Sequence, residues 1–276
     1  MRKKLIVSTM VAALVAVFAS PAGAITEGTL DGELHPNVAM ILYQKATGRF
    51  RCSATLVSPT VLITAAHCTE GIIGSAIVTF DTVAPPTGVA PDPATGYVPG
   101  VNIPAGYATG TPHTHPLWDG ELQNNDLHDV GVVVLDTAIT DRAPARLAPR
   151  GYLDTLAKKG LLKKGLFTTV GYGVFFDKPT EGPQKPVSVS DRTRRYAESP
   201  GQNVTSQVLK LAENGNDSRG TGGTCFGDSG GPAFRDGYLV ADTSYGASQF
   251  CRSYGGFYRL DTDDARGFLD DFIAVP

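Results

Sequence analysis

The chain has 276 residues, with 24 Lys and Arg against 27 Asp and Glu, so its formal charge is −3 and it offers no basic field for a nucleic-acid partner. Thirty-two glycines, 19 prolines and few long helical patterns point to short strands joined by many turns, an all-β fold with ample length for a real core.

Arg2, Lys3 and Lys4 precede an apolar run from Leu5 to about Ala19, which is too short for a comfortable membrane span. It ends in Ser20-Pro21-Ala22-Gly23-Ala24, a small-x-small pattern that signal peptidase accepts. Residues 1–24 are therefore expected to be a signal peptide cut after Ala24, with an uncleaved signal anchor as the alternative. The 252 residues that remain carry 21 basic and 27 acidic side chains, a charge of −6. No later apolar stretch approaches spanning length, so the expectation is a secreted, soluble chain, free of the membrane and acting as a monomer.

Strands are expected at Val38–Tyr43, Ala54–Val57, Val61–Thr64 and Ile77–Phe80, followed by long surface loops from Asp81 to Gly120 with one or two strands. Val130–Leu135 is a nearly continuous apolar run, consistent with a strand buried on both faces. A polar connector leads to a short helix within Tyr152–Leu162. Further strands are expected at Phe167–Val170, Val187–Val189, Tyr196, Val208–Leu211, Pro232–Phe234, Tyr238–Ala241 and Gly256–Leu260. Ala265, Phe268, Leu269, Phe272 and Ile273 recur at helical spacing after Asp261, Asp263 and Asp264, predicting an amphipathic helix over about 262–274, docked on the second half.

Four cysteines in an exported chain are expected to pair, and four allow three connectivities. The local pairs, Cys52 with Cys68 and Cys225 with Cys251, are favoured. A zinc site is the other use of four cysteines, but no close Cys-x-x-Cys pair is present.

Two segments carry chemistry. Gly227-Asp228-Ser229-Gly230-Gly231-Pro232 places a serine between glycines that free the neighbouring amides, and Thr64-Ala65-Ala66-His67-Cys68 places a histidine on a small-residue turn after an apolar strand. Serine is a weak nucleophile without a base to take its proton and a third group to hold that base in the right tautomer. Of the five histidines only His67 has that context. His113 and His115 could share one face of a strand and bind a metal, but no Glu or Cys cluster completes such a site, and loop surface is the simpler reading. The orienting acid is sought between base and nucleophile, at Asp126 or Asp129. Asp129 is favoured because it directly precedes the apolar strand and would be carried inward.

On the Thr64–Cys68 turn, the Asp129 strand, Cys225–Pro232, Ser244-Tyr245-Gly246 and Gly256-Phe257-Tyr258, the chain resembles the chymotrypsin/trypsin family of serine proteases over nearly its whole mature length. The resemblance implies two antiparallel six-stranded β-barrels, 25–145 carrying His67 and Asp129 and 146–276 carrying Ser229, with the C-terminal helix at the end of the second. It implies peptide hydrolysis through a Ser-His-Asp triad and an acyl-enzyme, with protein or peptide substrates and no cofactor or metal. The amides of Gly227 and Ser229 would form the oxyanion hole, and Ser244, Tyr245 and Gly246 would flank an extended substrate. A freed Ile25 ammonium would pair with Asp228. The primary pocket would have Gly223 and Thr224 at its base and Gly246 and Gly256 on its walls. Without an aspartate at Gly223, and with Thr243 where a histidine would help to hold Glu, a large apolar or aromatic side chain is the expected occupant. Two extra residues near Ser248–Cys251 blur that wall, and Asp242 beside it has no assigned role. A binding protein on a protease scaffold is the runner-up, although all three triad residues are present. An esterase is the third reading, although the Gly-x-Ser-x-Gly elbow is missing.

Overall fold

The computed structural model describes residues 25–122, 127–177, 187–215, 217, 219 and 221–274. The expected signal peptide and the alternative acid Asp126 lie outside them.

In the first half, β1 (Thr29–Leu30) is followed by β2 (Val38–Lys45), β3 (Gly48–Ser58) and β4 (Val61–Thr64). A one-turn helix α1 (Ala66–Thr69) then leads to β5 (Ile73–Thr79), β6 (Ala108–Thr114) and β7 (Gly131–Leu135). Strands β2-β3-β4-β7-β6-β5 close into an antiparallel barrel. Its interior follows from the two-residue period of a strand: Ala39, Ile41 and Tyr43 alternate inward from β2, and Val133 and Leu135 from β7. Val132 points the other way and is equally buried, so β7 is covered on both faces, as its unbroken apolar sequence requires.

The second half opens with α2 (Tyr152–Lys158) and β8 (Leu166–Gly171), then a small hairpin of β9 (Phe175–Asp177) and β10 (Val187–Val189). It continues through β11 (Arg195–Val204), β12 (Val208–Glu213), β13 (Pro232–Arg235), β14 (Tyr238–Gly246), β15 (Ser253–Arg259) and the helix α3 (Asp263–Leu269). Strand β8 pairs with both β11 and β13, which closes the second antiparallel barrel, and β1 adds to its outside through β11.

Both ends of the described chain cross between the barrels. Residues Thr29 and Leu30, counted by sequence with the first barrel, pair with Tyr196 and Arg195 of the second. Helix α3 does not rest on the second half alone: Ala265, Phe268 and Leu269 pack with Val61, Ile63 and Val132 as well as with Leu239 and Leu260. The helix is also shorter than expected. Thr262 Oγ1 caps it by accepting from the Ala265 amide, and Asp263 and Asp264 suit the positive N-terminus. Asp270 and Asp271 would face the negative C-terminal dipole, and the helix stops before them.

Arg194 ties these layers together. It is fully buried, and its guanidinium donates to Asp31 Oδ2 (2.8 Å), the Phe80 carbonyl (2.7 Å), the Gly32 carbonyl (2.8 Å) and the Tyr172 hydroxyl (3.1 Å). Burial opposes ionisation of Asp31, but the bonds from His35 and Arg194 outweigh it and hold the carboxyl below its usual value. Removing Arg194 strands that carboxylate. Arg194→Met is expected to cost about 3–5 kcal/mol of unfolding free energy at pH 7, read from urea denaturation. Because the folded Asp31 value is depressed, the pair stabilises above the ordinary aspartate range and its contribution fades as pH falls through the lowered value.

Candidate active site

The residues singled out in the sequence meet where the two barrels touch. His67 lies in α1, after the fully buried Ala65 and Ala66, where larger side chains would not fit. Asp129 enters just before β7, following His128, whose φ of 40° bends the chain inward. Asp129 is fully buried and accepts from three donors: the His67 amide (3.0 Å), His67 Nδ1 (2.9 Å to Oδ2) and Ser244 Oγ (2.5 Å). A carboxylate facing Nδ1 keeps the proton there and leaves Nε2 basic. His67 and Ser229 line one cleft of about 500 Å³, together with Thr224, Ser244 and Tyr245.

The turn carrying Ser229 uses its amides selectively. Those of Asp228, Gly230 and Gly231 donate to the carbonyls of Cys225 (2.9 Å), Thr243 (2.7 Å) and Asp228 (2.8 Å). Among the described residues, the amides of Gly227 and Ser229 have no acceptor. Gly227 (φ 98°) and Gly230 (φ 73°) occupy the left-handed region, and a Cβ on Gly230 would stand 2.0 Å from Thr64 Oγ1 on the strand leading to His67. The Ser53 amide of the first barrel donates to the Ser229 carbonyl (2.8 Å). The two barrels are therefore bonded to each other at the nucleophile. Both local disulfides form, Cys52–Cys68 beside the histidine turn and Cys225–Cys251 beside the serine turn.

Asp228 points inward and is fully buried, its oxygens accepting from the amides of Gly173 (2.7 Å) and Cys225 (2.8 Å). Burial nevertheless pushes its pKa up to about 7. Thr26 and Gly223 exchange backbone hydrogen bonds of 2.8 and 2.9 Å, which hold buried Ile25 beside the pocket base. In the intact chain the Ile25 nitrogen is an uncharged amide, and no ion pair joins it to Asp228 among the described residues.

Two features of the pocket carry no signal in the sequence. Gly246 pairs with Gly255, and Tyr245 with Gly256, because a register shift between Thr243 and Tyr245 displaces β14 against β15. A Cβ on Gly256 would stand 2.2 Å from the ring of Tyr245, so that glycine makes room for the tyrosine. The second is a buried carboxyl group close to the cleft. Glu213, at the end of β12, lies behind Thr224 and Gly223 and accepts from the Thr224 amide (2.8 Å) and hydroxyl (2.7 Å). It precedes Gly223 by ten residues on a neighbouring strand, so no sequence spacing signals it.

Asp242 is fully buried beside Asp129, and neither of its oxygens has a hydrogen-bond partner among the described residues. Burial and then the Asp129 charge hold its pKa well above the usual carboxylate value. His113 and His115 are not loop surface: their rings meet those of Phe272 and Phe268 of the C-terminal segment in tilted contacts. The ring and carboxylate donors of His115, His128 and Asp264 lie within 4.8 Å of one another, a cluster that the sequence did not reveal because Asp264 joins it from α3. His128 Nδ1 bonds Asp264 (2.7 Å), which braces the Asp129 segment against the helix, and the Leu117 amide donates to His115 Nδ1 (3.2 Å).

Comparison with known proteins agrees with this geometry. The family model for Trypsin matches residues 31–261. The chain is 25% identical to "Trypsin Blo t 3" of Blomia tropicalis, covering 86% of this chain and 81% of that one. It is 29% identical to "Brachyurin" of Leptuca pugilator, covering 73% and 78%. Among solved structures, HL collagenase superposes with a TM-score of 0.61 at 16% identity, covering 91% of this chain and 98% of the other. A structure titled GrC superposes at 0.59 with 16% identity, covering 88% and 96%. The chain belongs to the trypsin family and is a serine endopeptidase of the chymotrypsin fold.

Proposed function

We propose that this endopeptidase cleaves through Ser229 as nucleophile, His67 as general base and Asp129 as the acid that orients the base. The observation carrying the reading is the fully buried Asp129 bonded to His67 Nδ1, with the basic face of that histidine sharing a cleft with Ser229. Ser229 Oγ attacks the scissile carbonyl as its proton passes to His67 Nε2. The imidazolium is stabilised by Asp129 and returns the proton to the leaving amine, and water repeats the sequence to release the acyl-enzyme. The unengaged amides of Gly227 and Ser229 receive the oxyanion, where one donor is worth about 10²–10³ in rate. Ser244–Gly246 offers backbone pairing to an extended peptide, and the Gly246–Gly255 pair leaves the primary pocket open to a large side chain. A serine-directed phosphonate should label the folded protein covalently, and Ser229→Ala should abolish that labelling. A folded wild type that does not react would overturn the proposal.

The enzyme is further proposed to be exported and cut after Ala24. The freed Ile25 ammonium would then add a second positive charge to that of Arg51 near buried Asp228, and so order the turn bearing Ser229. N-terminal sequencing of the active secreted enzyme should begin at Ile25, and any other start would count against this activation route.

A further inference from the structure

Glu213 is a carboxylic acid directly behind Thr224, one of the residues that line the cleft. It is 2% exposed, and no ion pair among the described residues includes it. Its Oε1 takes both bonds from Thr224, and Thr224 lines the cleft that contains His67 and Ser229. A Cβ on Gly223 would stand 2.2 Å from Glu213 Cβ and 3.0 Å from its carboxyl carbon. A Cβ on Gly255 would stand 2.7 Å from that carboxyl carbon and from Oε2. Gly223 and Gly255 thus leave the space this carboxyl group fills.

Burial pushes the Glu213 pKa up to about 7, the Thr224 bonds work in the opposite direction, and the nearby charge of Asp228 raises it further. A buried carboxyl without a cation is costly to ionise, and an entering cation relieves that cost. An apolar side chain gains nothing from such a group. A lysine or arginine supplies the missing charge and makes charge-assisted hydrogen bonds with the carboxylate.

Resting on the endopeptidase reading above, we propose that Glu213 determines primary specificity and selects a long cationic side chain, lysine or arginine, before the scissile bond. It does so from β12, behind the position where the sequence shows only Gly223. Thr224 holds the carboxyl group in place, and the walls formed by Gly246 and Gly255 admit the aliphatic stem.

The test uses peptides identical except for Arg, Lys, Phe or Leu before the cut, with the mature wild type and Glu213→Gln. The wild type should prefer Arg and Lys over Phe and Leu by at least about tenfold in kcat/KM. Glu213→Gln keeps shape and an acceptor for Thr224, so it should lower kcat/KM for Arg and Lys by about 10²–10³ while Phe and Leu change less than about threefold. A merely structural glutamate would instead lower all four alike, and that outcome overturns the proposal. Should the variant not fold, inhibition of the wild type by an aryl amidine decides. Competitive inhibition supports the assignment, and faster cleavage after Phe or Leu with no amidine binding overturns it. A wild type that reacts with the phosphonate yet prefers apolar residues refutes the role of Glu213 alone. A folded wild type that neither labels nor cleaves refutes the triad reading as well.

Discussion

Ser229→Ala is expected to lower kcat by about 10⁶-fold, with the protein still folded and still binding peptide. The magnitude follows from the interdependence of the three groups. Without the hydroxyl, His67 has no proton to accept, and the orienting bond from Asp129 serves no step. The amides of Gly227 and Ser229 remain placed for an oxyanion, so a residual rate above water should survive. His67→Ala should fall by a similar factor, and Ser229→Ala/His67→Ala little further, because each single change already disables the unit. If the two single losses instead multiplied, His67 and Ser229 would be acting independently and the triad would be the wrong description. Fold should be unaffected, since the local bonds of the turn come from the amides of Asp228, Gly230 and Gly231 and from Ser53, none of which needs the Ser229 hydroxyl.

How far the sequence reaches can be seen residue by residue. His67, Asp129 and Ser229 were legible because their chemistry demands small or glycine neighbours and a buried strand edge, and those are local patterns. The strands of both barrels were legible from alternation and apolar runs, but their ends were not: Tyr196 alone stood for β11, which runs from Arg195 to Val204. Ladder bonds, and not apolar side chains, set that length. The pairing of Gly246 with Gly255 was not legible because a strand's register depends on a bulge in its partner, which no single-strand pattern records. Glu213, Arg194 and Asp264 were missed for a related reason. Each acts on residues distant in the chain, and burial of a charged side chain becomes interpretable only when its partners are known. The C-terminal helix was legible as an amphipathic stripe, but its contact with the first barrel was not, because Phe268 and Leu269 carry no mark of which core they join.

Asp129→Asn should lower kcat by about 10⁴-fold without loss of fold. In the wild type every hydrogen-bond partner of Asp129 donates: the His67 amide, His67 Nδ1 and Ser244 Oγ. An asparagine satisfies two of these donors with its oxygen and must turn its NH₂ toward the remaining partner. If it faces the imidazole, Nδ1 becomes an acceptor and the ring proton moves to Nε2, where His67 cannot deprotonate Ser229. The same substitution has a second readout at Asp242. That carboxyl is pushed toward its neutral form first by burial and then by the Asp129 charge. A folded value raised above the unfolded one means that its favourable contribution is present at low pH and declines as pH rises from the ordinary aspartate range, about 4, toward the raised value. Removing the Asp129 charge lowers the folded value, so stability in Asp129→Asn should decline less steeply than in the wild type as pH rises above the ordinary aspartate range, as measured by urea denaturation across a pH series. An unchanged slope with the full loss of kcat would mean that Asp242 is isolated from the triad acid and that burial alone pushes it toward its neutral form.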